Sequence, residues 1–385
     1  MLIGIVLTLS VNNRKFAIEF NTNYVFLLFF LFVGFIYFIY GLYNFKIKGV
    51  IQDSLFFLYI SIVFILTTFS EYYNKIVALV FNIYKWVPII GIVNFILQNY
   101  SPFFEQFSLF GGIPLMLYKY GDLGVNLIIS TILFLEGKYH LNKTMSLFFI
   151  ILTLINILLV LTYSRSGFIA YSITLFAYYI YSKSDIKLNF RRNLKYIFFS
   201  FLIAIPLYLS FEVKQNFQGR TTGLNQIINN VNSFISNSSE FKFNNTLNNN
   251  IIWRFAWWSN IINTSINEKM ILTGIGSGGD LIKDAGVFVE DEKLRAPHSI
   301  HLNLLARYGF LFFLVWISWI VYTLRPLFLN KLNGDQYLFA LFILAFLINA
   351  SFDVYLEGPM GSFPFWTFVG LLLLHNKKND TIAKS

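Results

Sequence analysis

The sequence predicts an all-α, polytopic integral membrane protein with about 11 transmembrane helices, within a range of about 10 to 12, and one long extracytoplasmic loop near the C-terminal third. Of its 385 residues, 56% are hydrophobic and only 12% are charged, which excludes an ordinary soluble globular domain. Apolar runs of roughly 16 to 23 residues recur, and a helix of that length crosses about 30 Å of hydrocarbon. Because the runs are continuous rather than alternating, they predict helices and not the strands of a barrel.

Charge and cysteine content narrow the function classes further. The net charge of +10 comes from basic residues that lie between the apolar runs, so membrane topology explains it better than nucleic-acid binding does. The absence of cysteine excludes disulfides, thiolate catalysis and thiolate metal sites. The N-terminal MLIGIVLTLSVNN lacks a basic segment and a small-residue cleavage site, so no cleavable signal is expected.

The first hundred residues contain three clear apolar runs and one ambiguous run. The clear runs are Leu2–Val11, Tyr24–Tyr43 and Asp53–Ser70. The fourth, Ile76–Leu97, contains Lys85 and Pro88 and is predicted to be one kinked helix or two half-helices. The orientation of this region stays open, because either Lys46 and Lys48 or the alternative basic group can lie inside. That alternative group is Arg14, Lys15, Lys75 and Lys85.

Four spans are expected next, with approximate bounds Gly121–Leu135, Met145–Tyr163, Phe168–Tyr181 and Tyr196–Phe211. The second and third form a tight external hairpin with Ser164-Arg165-Ser166-Gly167 at its tip, where Gly167 is expected to allow the sharp reversal. The following loop, SKSDIKLNFRRNLK, carries five basic residues and is therefore expected in the cytoplasm.

The C-terminal region sets the predicted topology. Its spans are Ser299–Leu324, Tyr337–Phe352 and Phe363–Leu374, and the basic tail HNKKNDTIAKS belongs in the cytoplasm. The turn DVYLEGPMGS is then external. The predicted organisation is residues 1–211 as N-terminal transmembrane helices, 212–297 as an extracytoplasmic loop carrying part of the active site, 298–375 as C-terminal transmembrane helices, and 376–385 as a cytoplasmic tail.

The stretch from Trp253 to Tyr322 combines aromatic residues, arginines, clustered glycines, carboxylates and two histidines at the mouth of a membrane segment. The Asn/Ser-rich sequence that precedes it, NNVNSFISNSSEFKFNNTLNNN, is typical of a flexible loop. Most of the remaining chain is apolar scaffold. Chemistry is therefore expected in this stretch.

His298 is the candidate catalytic residue. It follows Pro297 and is expected to begin a helix, where free backbone N–H groups favour an anion and disfavour a protonated imidazole. A neutral imidazole beside an anion site can act as a general base. The alternative is an interfacial histidine with no chemical role. His301 lies one turn further, but a metal pair would lack an H-E-x-x-H context and a third ligand at a telling spacing.

Three arginines are candidate substrate ligands. Arg165 lies at a hairpin tip between apolar helices, where a guanidinium either extends to the interface or meets an anion. Arg254 in WRFAWW and Arg220 in QGRTTG lie in the predicted loop, where a guanidinium fork suits phosphate oxygens. Each one alone can be an ordinary interfacial or solvated arginine. Three on one side of the membrane favour an anionic substrate.

Two further patterns in the loop have simpler explanations. Gly274, Gly276 and Gly279 match G-x-G-x-x-G, but no strand-turn-helix unit surrounds them, so a flexible turn that folds the loop back is expected instead of a dinucleotide site. The acidic run Glu290–Glu292 can hold a divalent cation or form a solvated turn.

Taken together, these residues resemble the O-antigen polymerase and ligase family of bacterial envelope glycosyltransferases. The matching features are the SRSG hairpin at Ser164–Gly167, the R-x-x-W at Arg254–Trp257, the TGIGSG turn, and His298-Ser299 followed by Gly309. The resemblance covers roughly Gly121 to Leu374. It implies that His298 is essential, that Arg165 and Arg254 engage the pyrophosphate of a lipid-linked sugar, and that Arg220 does so less clearly.

The resemblance implies a polymerase of O-antigen or capsular polysaccharide in the bacterial inner membrane, which transfers the growing glycan from undecaprenyl pyrophosphate to the next lipid-linked repeat unit. The other partners implied are membrane lipids, a chain-length regulator and a flippase of the same pathway, with no nucleic acid. Phe312 stands where the ligase pattern often has Gly, Thr or Tyr, which favours polymerase over ligase. No cofactor or metal is expected, because arginines and a neutral histidine supply the charge stabilisation and the base.

Two rival functions make different predictions. A metal-dependent, oligosaccharyltransferase-like enzyme would use the acidic run Glu290–Glu292 and would depend on a divalent ion. A lipid-linked oligosaccharide flippase would carry ionisable residues along a path at mid-membrane. The predicted spans contain almost no ionisable residues, and Lys85 is the one questionable case.

Overall fold

The structure, a computed structural model, is helical apart from one short hairpin. It describes residues 22–100, 108–110, 113–114, 119–181, 199–210, 227–228, 246–267, 272–279, 281, 296–328, 334–353 and 355–384. Within these ranges the chain folds into two compact units, one from residues 1–73 and 248–385 and the other from residues 74–247.

In the part of the chain that the structure describes, the first unit contains six helices. They are α1 (Thr22–Asn44), α2 (Ile47–Thr68), α9 (Thr246–Asn267), α10 (Ile300–Leu324), α11 (Gly334–Ala350) and α12 (Pro359–Lys384). Short 3₁₀ turns lie at Ser70–Tyr72, Arg325–Leu327 and Tyr355–Glu357. Because α12 runs to Lys384, residues of the predicted cytoplasmic tail continue the last helix.

Aromatic rings fill the centre of this unit. Trp316 and Trp319 of α10 stack with ring centroids 5.0 Å apart, and both are fully buried. Phe30 of α1 lies 5.8 Å from each of them, and Phe56 of α2 lies 5.5 Å from Trp316. Trp366 of α12 closes the cluster, 5.5 Å from Trp319. Large rings with offset or edge contacts bury much apolar area, so this cluster ties four helices of the unit together.

The second unit contains α3 (Tyr73–Tyr84), α4 (Val87–Tyr100), α5 (Tyr120–Leu135), α6 (Lys143–Tyr163), α7 (Arg165–Tyr181) and α8 (Phe199–Ser210). It also holds an antiparallel pair of short strands, β1 (Ser108–Phe110) and β2 (Ile113–Pro114), a small departure from the predicted all-α class. Gly111-Gly112 lies between these strands in the sequence, a dipeptide typical of hairpin turns.

The SRSG hairpin is confirmed, but the expected role of Gly167 is wrong. Helix α6 ends at Tyr163 and α7 starts at Arg165, so Ser164, with extended backbone, makes the reversal. Its hydroxyl accepts a hydrogen bond from the Gly167 N–H at 3.1 Å, which caps α7. Gly167 instead allows close packing, because a Cβ added there would lie 2.9 Å from the Gly121 Cα and the Tyr120 carbonyl oxygen of α5.

Four helices among the described residues are long and apolar enough to cross a membrane: Thr22–Asn44, Ile47–Thr68, Lys143–Tyr163 and Ile300–Leu327. A bent pair, Ser70–Tyr84 with Val87–Leu97, meets the same test as one span and makes five. Shorter apolar helices are Tyr120–Leu135, Phe199–Ser210 and Asp335–Ala350. With its apolar helices the chain is an integral membrane protein, while the predicted total of about 11 spans stays a prediction.

The ambiguous run at Ile76–Leu97 forms two helices rather than one. Helices α3 and α4 meet at a 42° bend around Lys85 and Trp86. Asn156 of α6 donates a hydrogen bond to the Pro88 carbonyl at 2.8 Å, just after the break. Pro88 lacks an N–H donor, so it fits the first turn of α4 and marks where the helix restarts. The predicted span Leu2–Val11 lies outside the described residues.

Candidate functional site

The sequence suggested that His298 begins a helix. In the structure it lies just before the helix instead. Helix α10 begins at Ile300 with Ser299 as its N-cap residue, and His298 has a backbone φ of 51°. Among the described residues it is the one non-glycine with positive φ. A left-handed backbone costs a histidine on the order of 1 kcal/mol, and such conformations concentrate where a side chain must be aimed.

The imidazole meets a carboxylate that the sequence prediction did not select. His298 Nδ1 lies 3.5 Å from Asp353 Oδ1, and the two side chains are 25% and 19% exposed. This distance is longer than a good hydrogen bond, and the contact is an ion pair only when the imidazole is protonated. Asp353 lies in the turn after α11, within the predicted external segment DVYLEGPMGS. A carboxylate on the Nδ1 side favours the tautomer with its proton on Nδ1, in which Nε2 is the basic nitrogen.

Arg254 reaches the same turn from α9. Its Nη1 donates to the Phe352 carbonyl oxygen at 2.9 Å, one residue before Asp353. Burial lowers the pKa of the Arg254 guanidinium, and the Asp353 carboxylate opposes this shift. A partly desolvated guanidinium favours an anionic neighbour strongly. The predicted pair, Arg254 and His298, therefore meets at Asp353.

Trp258, one turn after Arg254, fixes the segment that leads to His298. Its indole Nε1 donates to the Pro297 carbonyl oxygen at 2.6 Å. Trp257 is fully buried and packs with Ile261, Leu281 and Ala306, so α9 is anchored on α10 through an apolar cluster. The WRFAWW motif thus supplies one candidate ligand and the side chains that hold it in place.

His301 has a structural role and is not half of a metal pair. The Trp316 indole donates to His301 Nδ1 at 3.0 Å, so that nitrogen must be the acceptor. His301 Nε2 lies 3.1 Å from Ser351 Oγ, and the serine hydroxyl in turn bonds to the Leu347 carbonyl. The ring is therefore a neutral bridge between α10 and α11. Among the described residues no group of three or more metal-binding side chains occurs.

Of the remaining candidate residues, the structure describes Arg165 alone. Arg165 lies at the first position of α7 in the second unit, as the hairpin prediction required. Arg220 and the acidic run Glu290–Glu292 lie outside the described residues. Arg254 lies in the same unit as His298 and contacts the same turn.

The glycine-rich turn is docked on a break in α10 and is not the flexible turn that the sequence suggested. At Gly309, with φ 82° and ψ 174°, the helix is interrupted. The carbonyls of Ala306 and Arg307 accept hydrogen bonds from the N–H groups of Ile275 and Gly276, both at 2.9 Å. In a continuous helix these carbonyls would bond four residues ahead, so the break exposes them to the turn.

The docking is too tight for side chains at two glycines. A Cβ at Gly274, where φ is +67°, would lie 2.4 Å from the Arg307 carbonyl group, and one at Gly309 would lie 2.2 Å from the Leu272 oxygen. Real Cβ atoms do not approach backbone so closely. Within the G-x-G-x-x-G motif, Gly274 therefore allows the close approach of two backbones.

A buried ion pair locks the turn in place. Arg307 Nη1 lies 2.7 Å from Asp53 Oδ2 of α2, with side-chain exposures of 0% and 5%. The same carboxylate oxygen accepts from the Gly278 N–H at 2.7 Å, and Arg307 Nη1 also donates to the Gly279 carbonyl at 3.0 Å. A buried charge needs both a counter-ion and full hydrogen bonding, and this arrangement supplies both.

Sequence reasoning missed Asp353, Asp53 and Arg307. Asp353 carried a signal, since it stands in a short turn between two apolar runs on the side assigned to His298. Asp53 and Arg307 carried a weaker signal, one charge each inside a predicted span, where a charge is costly unless it is paired. Their partnership depends on residues 254 positions apart and could not be inferred without the fold.

Comparison with known proteins supports the resemblance. Residues 147–317 match the model of the protein family described as O-antigen ligase. The matched range contains Arg165, Arg254, His298 and the glycine-rich turn. No curated protein matches the chain.

Proposed function

Since residues 147–317 carry an O-antigen ligase family domain, we propose that the protein is a glycosyltransferase that polymerises lipid-linked repeat units on the extracytoplasmic side of the bacterial inner membrane. The donor is a glycan on undecaprenyl pyrophosphate, and the acceptor is the next lipid-linked repeat. The observation that carries the proposal is the His298–Asp353 contact beside Arg254. It joins a base, its orienting carboxylate and an anion ligand in one place.

The chemistry follows from these groups. The acceptor hydroxyl oxygen attacks the anomeric carbon of the donor glycan, and the bond from that carbon to the diphosphate oxygen breaks. The departing undecaprenyl diphosphate keeps the electron pair, and the hydroxyl proton passes to His298 Nε2. Asp353 stabilises the imidazolium that forms, because its carboxylate lies at Nδ1.

Arg254 is assigned to the departing diphosphate. A guanidinium stabilises charge that develops on phosphate oxygens, and it does so most effectively where water is scarce. Its partial burial meets that condition. Arg165 and Arg220 are proposed as further ligands of the diphosphate, on the basis of the resemblance stated for the sequence. The proposed chemistry assigns no step to a metal or cofactor.

The experiment compares His298→Ala and Asp353→Asn with wild type, using purified protein in liposomes and a lipid-linked repeat as substrate. Loss of the base is expected to slow transfer by on the order of 10²-fold or more. Loss of the orienting carboxylate is expected to slow it by about 10-fold or more. His140→Ala is the matched control, since His140 is exposed in the second unit. Wild-type chain length and yield from a stably expressed His298→Ala variant would contradict the proposal.

Ligase activity, transfer of finished polymer to lipid A-core, is the second candidate, because the family match does not distinguish it from polymerase activity. Phe312 distinguishes polymerase from ligase only weakly. Phe312 is buried and packs against Phe30 and Phe57 with ring centroids 5.4 and 5.8 Å away, so its size serves the core of the unit. Donor and leaving group are the same in both reactions, and the acceptor differs.

Gene deletion separates the two candidates. Loss of a polymerase leaves single repeats, which a separate ligase can still transfer to lipid A-core. Loss of a ligase leaves long chains on the carrier lipid. We expect single repeats, read by gel electrophoresis of lipid-linked and lipid A-linked glycans. Accumulation of long carrier-linked polymer would show that the protein is the ligase.

A further inference from the structure

A chain of hydrogen-bonded polar side chains runs from the buried ion pair to the connection that carries Asp353. Arg307 Nε donates to Asn303 Oδ1 at 2.9 Å, one helical turn earlier on α10. Asn303 Nδ2 in turn donates to Glu357 Oε1 in a short hydrogen bond. Arg307 and Asn303 are 0% and 3% exposed. The chain Asp53–Arg307–Asn303–Glu357 therefore crosses the interior of the first unit from α2 to the 3₁₀ turn Tyr355–Glu357.

The orientation of the Asn303 amide is fixed by its neighbours. A guanidinium has only donors and a carboxylate only acceptors, so the amide oxygen must face Arg307 and the amide nitrogen must face Glu357. Asn303 thus accepts a hydrogen bond from Arg307 with its oxygen and donates one to Glu357 with its nitrogen. An aspartate in its place would set two carboxylates against each other.

Glu357 lies four residues after Asp353 in the same connection between α11 and α12. The connection is held on its other side by the hydrogen bond from Arg254 to the Phe352 carbonyl and by Ser351 at His301. Tyr355 and Leu356 are buried, so the side chains of this 3₁₀ turn pack in the interior of the first unit. Asn303 lies in the first turn of α10, and His298 lies just before that helix. The hydrogen bond from Asn303 to Glu357 therefore links the segment that carries His298 to the connection that carries Asp353.

We propose that Asn303 and Glu357 are positioning residues, and that their hydrogen bond holds the Asp353 turn in register with His298. The proposal rests on the proposed function, in which these two side chains handle the proton. A displacement of about 1 Å at a reacting group can cost on the order of 10²-fold in rate, so a link that fixes this register affects turnover more than substrate binding. Glu357 contributes here through its acceptor oxygen and not through its charge.

The first experiment separates hydrogen bonding from charge. Glu357→Gln keeps a carbonyl oxygen that accepts from Asn303, whereas Glu357→Met has similar size and no acceptor of that kind. We expect kcat of Glu357→Met to fall by about 10-fold or more with little change in KM, and Glu357→Gln to be at least several-fold more active than Glu357→Met. Equal activity of Glu357→Met and wild type would overturn the proposal.

The second experiment reverses the bond. Asn303→Asp alone places a carboxylate against Glu357 and is expected to impair turnover as much as Glu357→Met does. In the double variant Asn303→Asp/Glu357→Gln the new amide donates to the new carboxylate, the total charge is unchanged, and Arg307 keeps its acceptor. We expect kcat to recover by several-fold over Asn303→Asp. Failure of the double variant to recover, in protein that elutes as a single folded peak, would overturn the assigned bond.

A distance measurement tests positioning without relying on activity. The chain has no cysteine, so spin labels at Ala296→Cys and Gly358→Cys report only the separation between the approach to His298 and the turn after Glu357. Gly358 has open space around its Cα. We expect a narrow distance distribution in the labelled parent, a broad one with Glu357→Met, and a narrow one again with the reversed pair. A narrow distribution with Glu357→Met would overturn the proposal, whereas broadening in a protein whose His298→Ala variant is fully active would count against the proposed function alone.

Discussion

At the scale of single residues, the site depends on two side chains that are costly to place. His298 adopts a left-handed backbone, and Arg254 is partly desolvated, with burial lowering the pKa of its guanidinium. Both residues interact with one carboxylate, Asp353, which faces the imidazole and opposes the shift at the arginine. Residues that carry such costs are found where function requires them.

Arg254→Lys tests whether the guanidinium fork itself is needed. A lysine keeps the charge but has no planar fork, so it cannot bond the Phe352 carbonyl and a diphosphate oxygen with fixed geometry. We expect transfer to fall by about 10-fold or more, measured as initial rate in liposomes. Lys143→Arg, at the start of α6, serves as an exposed control for the chemical change in the opposite direction. A rate within error of wild type for Arg254→Lys would remove the arginine from the diphosphate site.

At the scale of elements, the break in α10 does two jobs. It presents the Ala306 and Arg307 carbonyls to the glycine-rich turn, and it ends the first helical segment of α10, which follows His298 and carries Asn303. The turn carries its own conformational cost, with positive φ at Gly274, Gly276 and Gly278. The Asp53–Arg307 pair offsets that cost by bonding both ends of the Gly278-Gly279 segment.

Gly309→Ala tests this docking. Its backbone lies in a region that only glycine adopts readily, and the added methyl would lie 2.2 Å from the Leu272 oxygen. We expect a loss of about 2 kcal/mol or more in the free energy of unfolding, read as a lower midpoint of thermal unfolding in detergent. Gly358→Ala is the matched control, because nothing lies within 4 Å of its added Cβ. Equal midpoints for the two variants would show that the turn does not dock as described.

At the scale of the whole molecule, the proposed function requires that the predicted loop, residues 212–297, lie outside the cytoplasm. The basic loop at residues 182–195 and the basic C-terminal segment, both expected inside, support that orientation. Nucleotide sugars are absent outside, so a transferase there must use the energy of a polyprenyl diphosphate donor. The topology and the proposed chemistry therefore depend on each other.

Single cysteines test the topology directly. Ser259→Cys on α9 and His140→Cys between α5 and α6 both stand at exposed positions, on opposite sides in the predicted topology. In spheroplasts an impermeant maleimide should label Ser259→Cys, and His140→Cys should react only after lysis. The cysteine-free parent is the blank. Labelling of His140→Cys in intact spheroplasts, without labelling of Ser259→Cys, would invert the proposed arrangement.

The sequence by itself determined the membrane class and the SRSG hairpin, placed most of the described apolar helices to within a few residues, and selected His298 and Arg254 as candidate site residues. These properties are local, because hydrocarbon demands long apolar helices and because a helix boundary or a tight turn is written in adjacent residues. The tertiary structure alone decided that Asp353 faces His298, that His301 is a structural bridge, and that Asp53 pairs with Arg307. Apart from the bond between His301 and Trp316 within α10, those contacts join residues 50 or more positions apart, and their energy comes from desolvation and geometry that exist only after the helices pack.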